Sequence, residues 1–271
     1  MAALWLSALT VLLALPAAAG GQGLPTLDPV RPEPPSSAPP QAQPEPVPPP
    51  PRAGGPALPR RRVLSNERTR SRWAYVLEQT WARRRPSRRS RRVKLLRTTT
   101  PDGTGELVLA LSERRIRDGA TWVRVRLPMR PNGRTGWVPR SRLGRYRLVR
   151  TFLRIDRRSF RASLYRRGRR IWRSRIGVGQ PRWPTPRGRF YVRDRLVPAD
   201  PGGLYGVFAF GLSAYSETLT DWPGGGMIGV HGTDQPQLIP GRISHGCVRL
   251  PNPAIARLRR LMPLGTPVLI R

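Results

Sequence analysis

Past residue 92 the chain is written in short apolar runs cut by turn residues, which predicts strands rather than helices. Val93-Lys94-Leu95-Leu96 leads into Pro101-Asp102-Gly103, and Glu106 to Leu111 is a second run, closed off by Asp118-Gly119. Trp122-Val123-Arg124-Val125-Arg126-Leu127 alternates apolar and polar, as a half-buried strand does. Pro131-Asn132-Gly133 predicts a hairpin turn before Gly136-Trp137-Val138-Pro139. From Thr151 a second β-rich stretch follows. Its runs are Leu153 to Asp156, Ala162 to Tyr165, Arg170 to Arg173, Arg175 to Gly179 and, after the break Trp183-Pro184-Thr185-Pro186, Arg189 to Val192. Gly224-Gly225-Gly226 precedes Met227-Ile228-Gly229-Val230, and Pro267-Val268-Leu269-Ile270 predicts a closing strand. Only Pro253 to Met262 predicts a helix, with Ile255, Leu258 and Leu261 on one face. No βαβ alternation is present, so the expected fold class is all-β and mainly antiparallel, with one short C-terminal helix.

The first 92 residues read differently. Leu4 to Leu15 is an apolar run followed by Pro16 and Ala17-Ala18-Ala19-Gly20. It resembles the apolar core and small-residue cleavage site of an export signal, and it is shorter than the roughly 20 residues of a membrane span. No Lys or Arg precedes it. Residues 21–60 are rich in Pro, Ala, Gly and Gln, a composition that predicts an extended, solvated, disordered tether. Residues 61–92 are arginine-dense, with Arg83-Arg84-Arg85, Arg88-Arg89 and Arg91-Arg92, and read as a solvated segment interrupted by Trp73, Tyr75, Val76 and Trp81. The expected organisation is a signal peptide over 1–20, a Pro-rich linker over 21–60 and an Arg-rich segment over 61–92. A small β-domain over 93–148 and a larger one over 149–271 follow. The tight turns and closing Gly136-Trp137-Val138 of the small domain resemble bacterial SH3-like modules.

Charge then narrows the partners. Lys plus Arg number 50 against 15 Asp plus Glu, a net charge of +35, and Lys94 is the only lysine. Such a field draws in polyanions. Arginine is spread over the whole chain and no zinc-finger spacing or RRM signature accompanies it, so no nucleic acid is expected as partner. With an export signal, the expected partners of the Arg-rich regions are anionic cell-wall polymers or a membrane surface. The expected location is the cell wall, on the periplasmic side of the cytoplasmic membrane.

The chemistry-bearing residues are few and clustered. The two histidines, His231 and His245, and the single cysteine, Cys247, fall within seventeen consecutive residues. A free thiol has a pKa near 8.5, so an imidazole in reach is needed to generate much of the nucleophilic thiolate, and such a positioned base is worth about 10²–10⁴ in rate. His231 follows an apolar strand and can face Cys247 from a neighbouring one, whereas His245, two residues from the thiol, is awkwardly placed to serve as base. Gly246 and Cys247 sit where backbone N–H groups can meet an oxyanion. Two other readings of these residues stand beside this one. They could be core residues around a buried thiol, or zinc ligands with Asp234 as a distant fourth, although the spacing matches no common finger.

His231 with its spacer, then Ser244-His245-Gly246-Cys247-Val248-Arg249, resembles the signature of L,D-transpeptidases of the YkuD type. Gly177-Val178-Gly179 with Pro184-Thr185-Pro186-Arg187-Gly188-Arg189-Phe190 is similar to an upstream segment of the same family. The resemblance covers roughly residues 150–271 and implies a β-sandwich catalytic domain that needs no metal and no cofactor. It implies Cys247 as nucleophile and His231 as base, with the Gly232 carbonyl orienting the base. Gly246 and Cys247 would be oxyanion donors, Ser244 and His245 supports, and Arg249 and Gly229 substrate contacts. The implied substrates are peptidoglycan stem peptides. Cys247 would attack the carbonyl before a terminal D-Ala, D-Ala would leave, and an amine of a second stem would resolve the thioester into a cross-link. Water as acceptor would make an L,D-carboxypeptidase instead, and a non-catalytic basic wall-binding protein is the remaining alternative.

Overall fold

The computed structural model describes residues 61–271 except Trp222; the expected signal peptide and Pro-rich linker lie outside the described residues. The first eight strands are β1 (Arg62–Val63), β2 (Ser71–Tyr75), β3 (Thr80–Arg83), β4 (Arg92–Leu96), β5 (Leu107–Arg115), β6 (Thr121–Arg126), β7 (Thr135–Pro139) and β8 (Arg147–Val149). They form one sheet in the order β4-β3-β7-β6-β5-β2-β8, with β1 beside β5, and all its pairings are antiparallel.

The expected boundary at residue 93 is corrected by this sheet, because the Arg-rich segment supplies β1, β2 and β3. In β2, Ser71, Trp73 and Ala74 are buried while Arg72 is half-buried, so arginine stems pack along the sheet and their charged heads stay at the surface. The densest run falls in the β3–β4 connection, closed by the Arg84 N–H donating to the Arg91 carbonyl at 3.0 Å. Arginine density masks the strand period here because a long cationic side chain suits either a tail or the wet face of a sheet.

The second sheet contains β9 (Thr151–Asp156), β10 (Arg161–Arg166), β11 (Arg169–Arg175), β12 (Gly177–Gly179), β13 (Gly188–Leu196), β14 (Ala209–Tyr215), β15 (Met227–His231), β16 (Gly241–Ser244), β17 (Val248–Arg249) and β18 (Pro267–Ile270). The single helix, α1 (Asn252–Leu261), packs Ile255 and Leu258 inward. It begins with Pro253 in its first turn, where a missing N–H costs nothing. The strand order is β11-β10-β9-β18-β13-β14-β15-β17-β12-β16. Most neighbours are antiparallel, while β9–β18, β15–β17 and β12–β16 are parallel. Strand β13 pairs through Gly188–Tyr191 with β18 and through Val192–Leu196 with β14. One strand thus belongs to both halves, which close as a sandwich over Leu153, Ile155, Phe190, Phe210, Val230 and Val248. Burying each of these side chains contributes about 1.5–3 kcal/mol.

The two sheets dock against each other. Trp73, Leu107, Leu109, Val149 and Tyr191 form a shared apolar cluster, and the buried Tyr191 hydroxyl donates to the Leu107 carbonyl at 3.1 Å. Arg193 on β13 makes a two-pronged ion pair with Glu106, both buried. The predicted hairpin turn at 131–133 does more than reverse the chain. Arg130 donates to the carbonyls of Ser216 (2.6 Å), Leu219 (3.0 Å) and Gly225 (2.8 Å). Asn132 exchanges two hydrogen bonds with the Tyr215 backbone, at 2.7 and 3.0 Å. The first sheet therefore grips the connection between β14 and β15, the strand that carries His231.

Candidate active site

Three neighbouring strands assemble the site. Strand β15 lies parallel to β17 with Val230 opposite Val248 and His231 opposite Arg249, and β12 borders β17 on its other side. Cys247 sits one residue before β17, so the parallel pairing sets it beside Gly229, in the middle of β15. The backbone N–H of Gly229 donates to Cys247 Sγ at 3.2 Å. A methyl group placed on Gly229 would lie 3.7 Å from His231 Cδ2 and 3.8 Å from Cys247 Sγ, so both side chains border the small space that this glycine leaves open.

His231 is 2% exposed. Its Nδ1 lies 2.6 Å from the Gly232 carbonyl oxygen. With Nδ1–H donating there, Nε2 carries the lone pair that can accept a proton. The carbonyl is itself held, because Gly232 N–H donates to the Phe208 carbonyl at 3.1 Å and a side chain at 232 would collide with Asn252 Oδ1. Tyr205 presents its ring edge-on to the imidazole at 4.9 Å. Burial holds the His231 pKa down to about 4; the Gly232 bond opposes that shift and Arg249 adds to it. Burial likewise raises the Cys247 thiol, with the Gly229 N–H and Arg249 pulling the other way. The resting pair is therefore a neutral thiol beside a neutral imidazole.

That protonation state has a direct consequence. Alkylation of Cys247 by iodoacetamide follows the thiolate fraction, so its rate should climb steadily as pH rises through the ordinary thiol range. An imidazolium–thiolate pair would instead give a plateau between about pH 5 and 7. A plateau in that window would overturn the neutral-pair assignment.

The Cys247 loop is held from several directions. Gly246 adopts φ +115°, a conformation that favours glycine, and a Cβ there would press on Ile228 Cδ1 at 3.0 Å. Ser244 Oγ donates to the Cys247 carbonyl at 2.5 Å and accepts the Gly246 N–H at 3.2 Å. The Gly246 amide, expected as an oxyanion donor, donates here to the Ser244 hydroxyl and so also shapes the loop. His245 packs its ring on Trp183 with ring centroids 4.2 Å apart. Arg249 is 7% exposed; its guanidinium reaches Gln235 Oε1 at 3.4 Å, and its Nε finds no partner among the described residues.

Two residues without an assigned role in the sequence reading also shape the site. Thr185 Oγ1 accepts the Gly179 N–H and donates to the Gly246 carbonyl, both at 2.8 Å, and so ties β12 to the cysteine loop. Asn252 Oδ1 accepts the N–H groups of Val207 (3.3 Å) and Thr233 (3.2 Å), joining the start of α1 to the chain on either side of the base. Both carried a signal, since Thr185 lies within the Pro184 to Phe190 segment and Asn252 closes the family-like stretch that begins at His231.

Residues 150–270 match the YkuD family, described as the L,D-transpeptidase catalytic domain. Two curated Bacillus proteins bear the name L,D-transpeptidase YkuD. The B. licheniformis protein is 34% identical over 107 residues, 40% of this chain and 57% of the relative. The B. subtilis protein is 34% identical over 95 residues, 35% of this chain and 50% of the relative. The chain thus spans about half the length of the curated relatives it matches. Among solved structures, the Enterococcus faecium L,D-transpeptidase is 26% identical with a TM-score of 0.36, covering 45% of this chain and 49% of that one. An L,D-transpeptidase fragment from Xylanimonas cellulosilytica is 26% identical with a TM-score of 0.34, covering 45% and 60%.

Proposed function

We propose that the chain, whose residues 150–270 match the YkuD family of L,D-transpeptidase catalytic domains, cross-links peptidoglycan stem peptides by cysteine acyl transfer, outside the cytoplasmic membrane. The observation that carries the proposal is the line of contacts from the Gly232 carbonyl through His231 to the space it shares with Cys247 Sγ and the Gly229 N–H. In this reading Cys247 Sγ attacks the carbonyl before the terminal D-Ala of a tetrapeptide stem while His231 Nε2 takes the thiol proton. The C–S bond forms, the carbonyl oxygen becomes an oxyanion, and the Cys247 N–H is its donor. The proton then passes from His231 to the departing amine, the C–N bond breaks, and D-Ala leaves a thioester behind. An acceptor amine attacks the thioester carbonyl and gives its proton to His231; the new C–N bond forms, the C–S bond breaks, and His231 returns the proton to the departing thiolate, regenerating the thiol.

Gly229 acts twice. Its N–H stabilises negative charge on sulfur as the proton leaves, and its missing side chain keeps the approach open. Arg249, buried beside His231 without a carboxylate partner among the described residues, is assigned to a substrate carboxylate, the ligand that best compensates a desolvated guanidinium.

The test incubates the mature chain with disaccharide-tetrapeptide ending in D-Ala and reads the products by mass spectrometry. Free D-Ala with a cross-linked dimer supports transpeptidation. D-Ala without dimer, in the presence of acceptor, would convert the assignment to an L,D-carboxypeptidase, and no D-Ala would reject the enzyme.

A further inference from the structure

Away from the catalytic residues lies a groove of about 710 Å³, where the β8–β9 junction, the β10–β11 hairpin and the end of α1 meet. Arg150, Arg166, Arg167, Arg169 and Arg170 line it with the aliphatic Leu148 and Leu261, and no acidic or aromatic side chain among the described residues joins them. The hairpin gathers four of the arginines. Arg166 pairs directly opposite Arg169, and Arg167-Gly168 make the turn between them with φ +51° and +86°. Such a turn favours Asn-Gly, so arginine stands at its first position against backbone preference. The Arg167 N–H donates to the Arg150 carbonyl at 2.8 Å, which ties the fifth arginine to the other four.

These charges are uncompensated. Arg62, Arg126 and Arg271 each have a carboxylate partner. Among the described residues, none of the five groove guanidiniums has an ion pair, a side-chain hydrogen bond or a ring contact, and all five residues are exposed. Like charges directly opposite each other on one sheet face are destabilising. Protection of the sheet edge does not account for them. Strand β11 is an edge strand, but Arg173 and Arg175 already supply the charge that discourages pairing along it. Five guanidiniums that repel one another around a single groove are stabilised when an anion enters it.

We propose that this groove binds a linear phosphodiester polymer whose repeats are short and ringless. Guanidinium matches phosphate through paired N–H donors. With no aromatic ring in the lining, nucleic-acid bases have nothing there to stack on. Leu148, 41% exposed, and Leu261 suit the methylene groups of a short polyol repeat instead. A bilayer presents its phosphates in a plane, whereas a concave groove admits one chain. The catalytic cleft, of about 460 Å³, is lined by Asp102, Tyr205, Gly229 and His231 among others, and shares no lining residue with the groove. Strand β9 also stands four places from β15 in the sheet order. A polymer held in the groove therefore leaves the cleft open, and the groove anchors the catalytic domain without occupying its site.

The experiment measures binding of end-labelled poly(glycerol phosphate) to the mature chain by fluorescence anisotropy across a salt series. It needs no turnover, so its result is separate from the catalytic reading. Two variants carry the same loss of charge. One replaces Arg150, Arg166, Arg167, Arg169 and Arg170 by Gln; the other replaces Arg84, Arg85, Arg88, Arg89 and Arg91, in the β3–β4 connection, by Gln. The groove variant should bind at least about 100-fold more weakly, and its plot of log affinity against log salt should be shallower by about 3, since each phosphate contact on a flexible single chain contributes about 0.7. The other variant should stay within about threefold of the unaltered protein, as its charge acts only through the screened general field. The polymer should raise the unfolding midpoint of the unaltered protein and leave that of the groove variant unmoved, while iodoacetamide labelling of Cys247 shows that both variants are folded. Equal weakening in the two variants would overturn the groove and leave only attraction to net charge. Polyglutamate bound as tightly as the phosphate polymer would overturn the phosphodiester assignment. Phosphatidylglycerol vesicles bound more tightly than the polymer, with the same loss in the groove variant, would make this a membrane face and overturn the polymer. Absence of saturable binding to the unaltered protein would reject the proposal outright.

Discussion

Replacing Cys247 by alanine should lower D-Ala release by about 10⁴-fold or more, since the proposed acyl transfer then loses its nucleophile and keeps only binding and oxyanion stabilisation. The variant should also lose the thioester adduct in intact-mass spectra, while its unfolding midpoint stays close to that of the unaltered protein. The second half of the argument concerns the base. His231→Gln keeps a polar group of similar reach but cannot take a proton, and the loss expected is about 10²–10⁴-fold. The combined variant should be scarcely worse than Cys247→Ala alone, because the base has no task without the thiol. Losses that multiplied in the double variant would mean the two residues act independently, contrary to the shared space beside Gly229.

The largest expected effect on stability lies at Glu106 and Arg193, the buried ion pair that joins the sheets. Burial raises the Glu106 carboxyl while the Arg193 hydrogen bonds oppose it; in turn Glu106 keeps Arg193 firmly protonated. Arg193→Ala strands a carboxylate in a desolvated place and should cost about 3–5 kcal/mol, read as a lower midpoint in urea unfolding. The penalty comes from the orphaned charge more than from the lost contact. Glu106→Leu with Arg193→Met, which removes both charges and keeps the volume, should therefore recover most of it. No recovery in the paired variant would mean that the hydrogen bonds themselves, including Arg193 to the Tyr215 hydroxyl, hold the sheets together.

Several elements were legible from local pattern alone. The alternation of Trp122 to Leu127 marks β6, and Pro267 to Ile270 is β18 residue for residue. The helix was expected over 253–262 and runs Asn252–Leu261. The pattern gave no notice of β14, where Gly211 interrupts the run Phe210-Gly211-Leu212 and both faces are buried, so no polar alternation marks a surface. It also misassigned β2 and β3, whose arginines lie along the wet face of a sheet that only long-range pairing creates.

What the sequence determined by itself was the chemistry: two histidines and one thiol confined to seventeen residues in a recognisable spacing, within an arginine-rich, β-patterned chain. Those are local properties, carried by residue type and order. The tertiary structure decided which imidazole shares a space with the sulfur, because that follows from the parallel pairing of β15 with β17. It also decided that the Gly246 amide is taken by Ser244, and that Asp102, more than a hundred residues before His231, lines the same cleft. Proximity between distant segments arises from strand register and sheet docking, which bury apolar faces cooperatively and leave little trace in any short stretch of sequence.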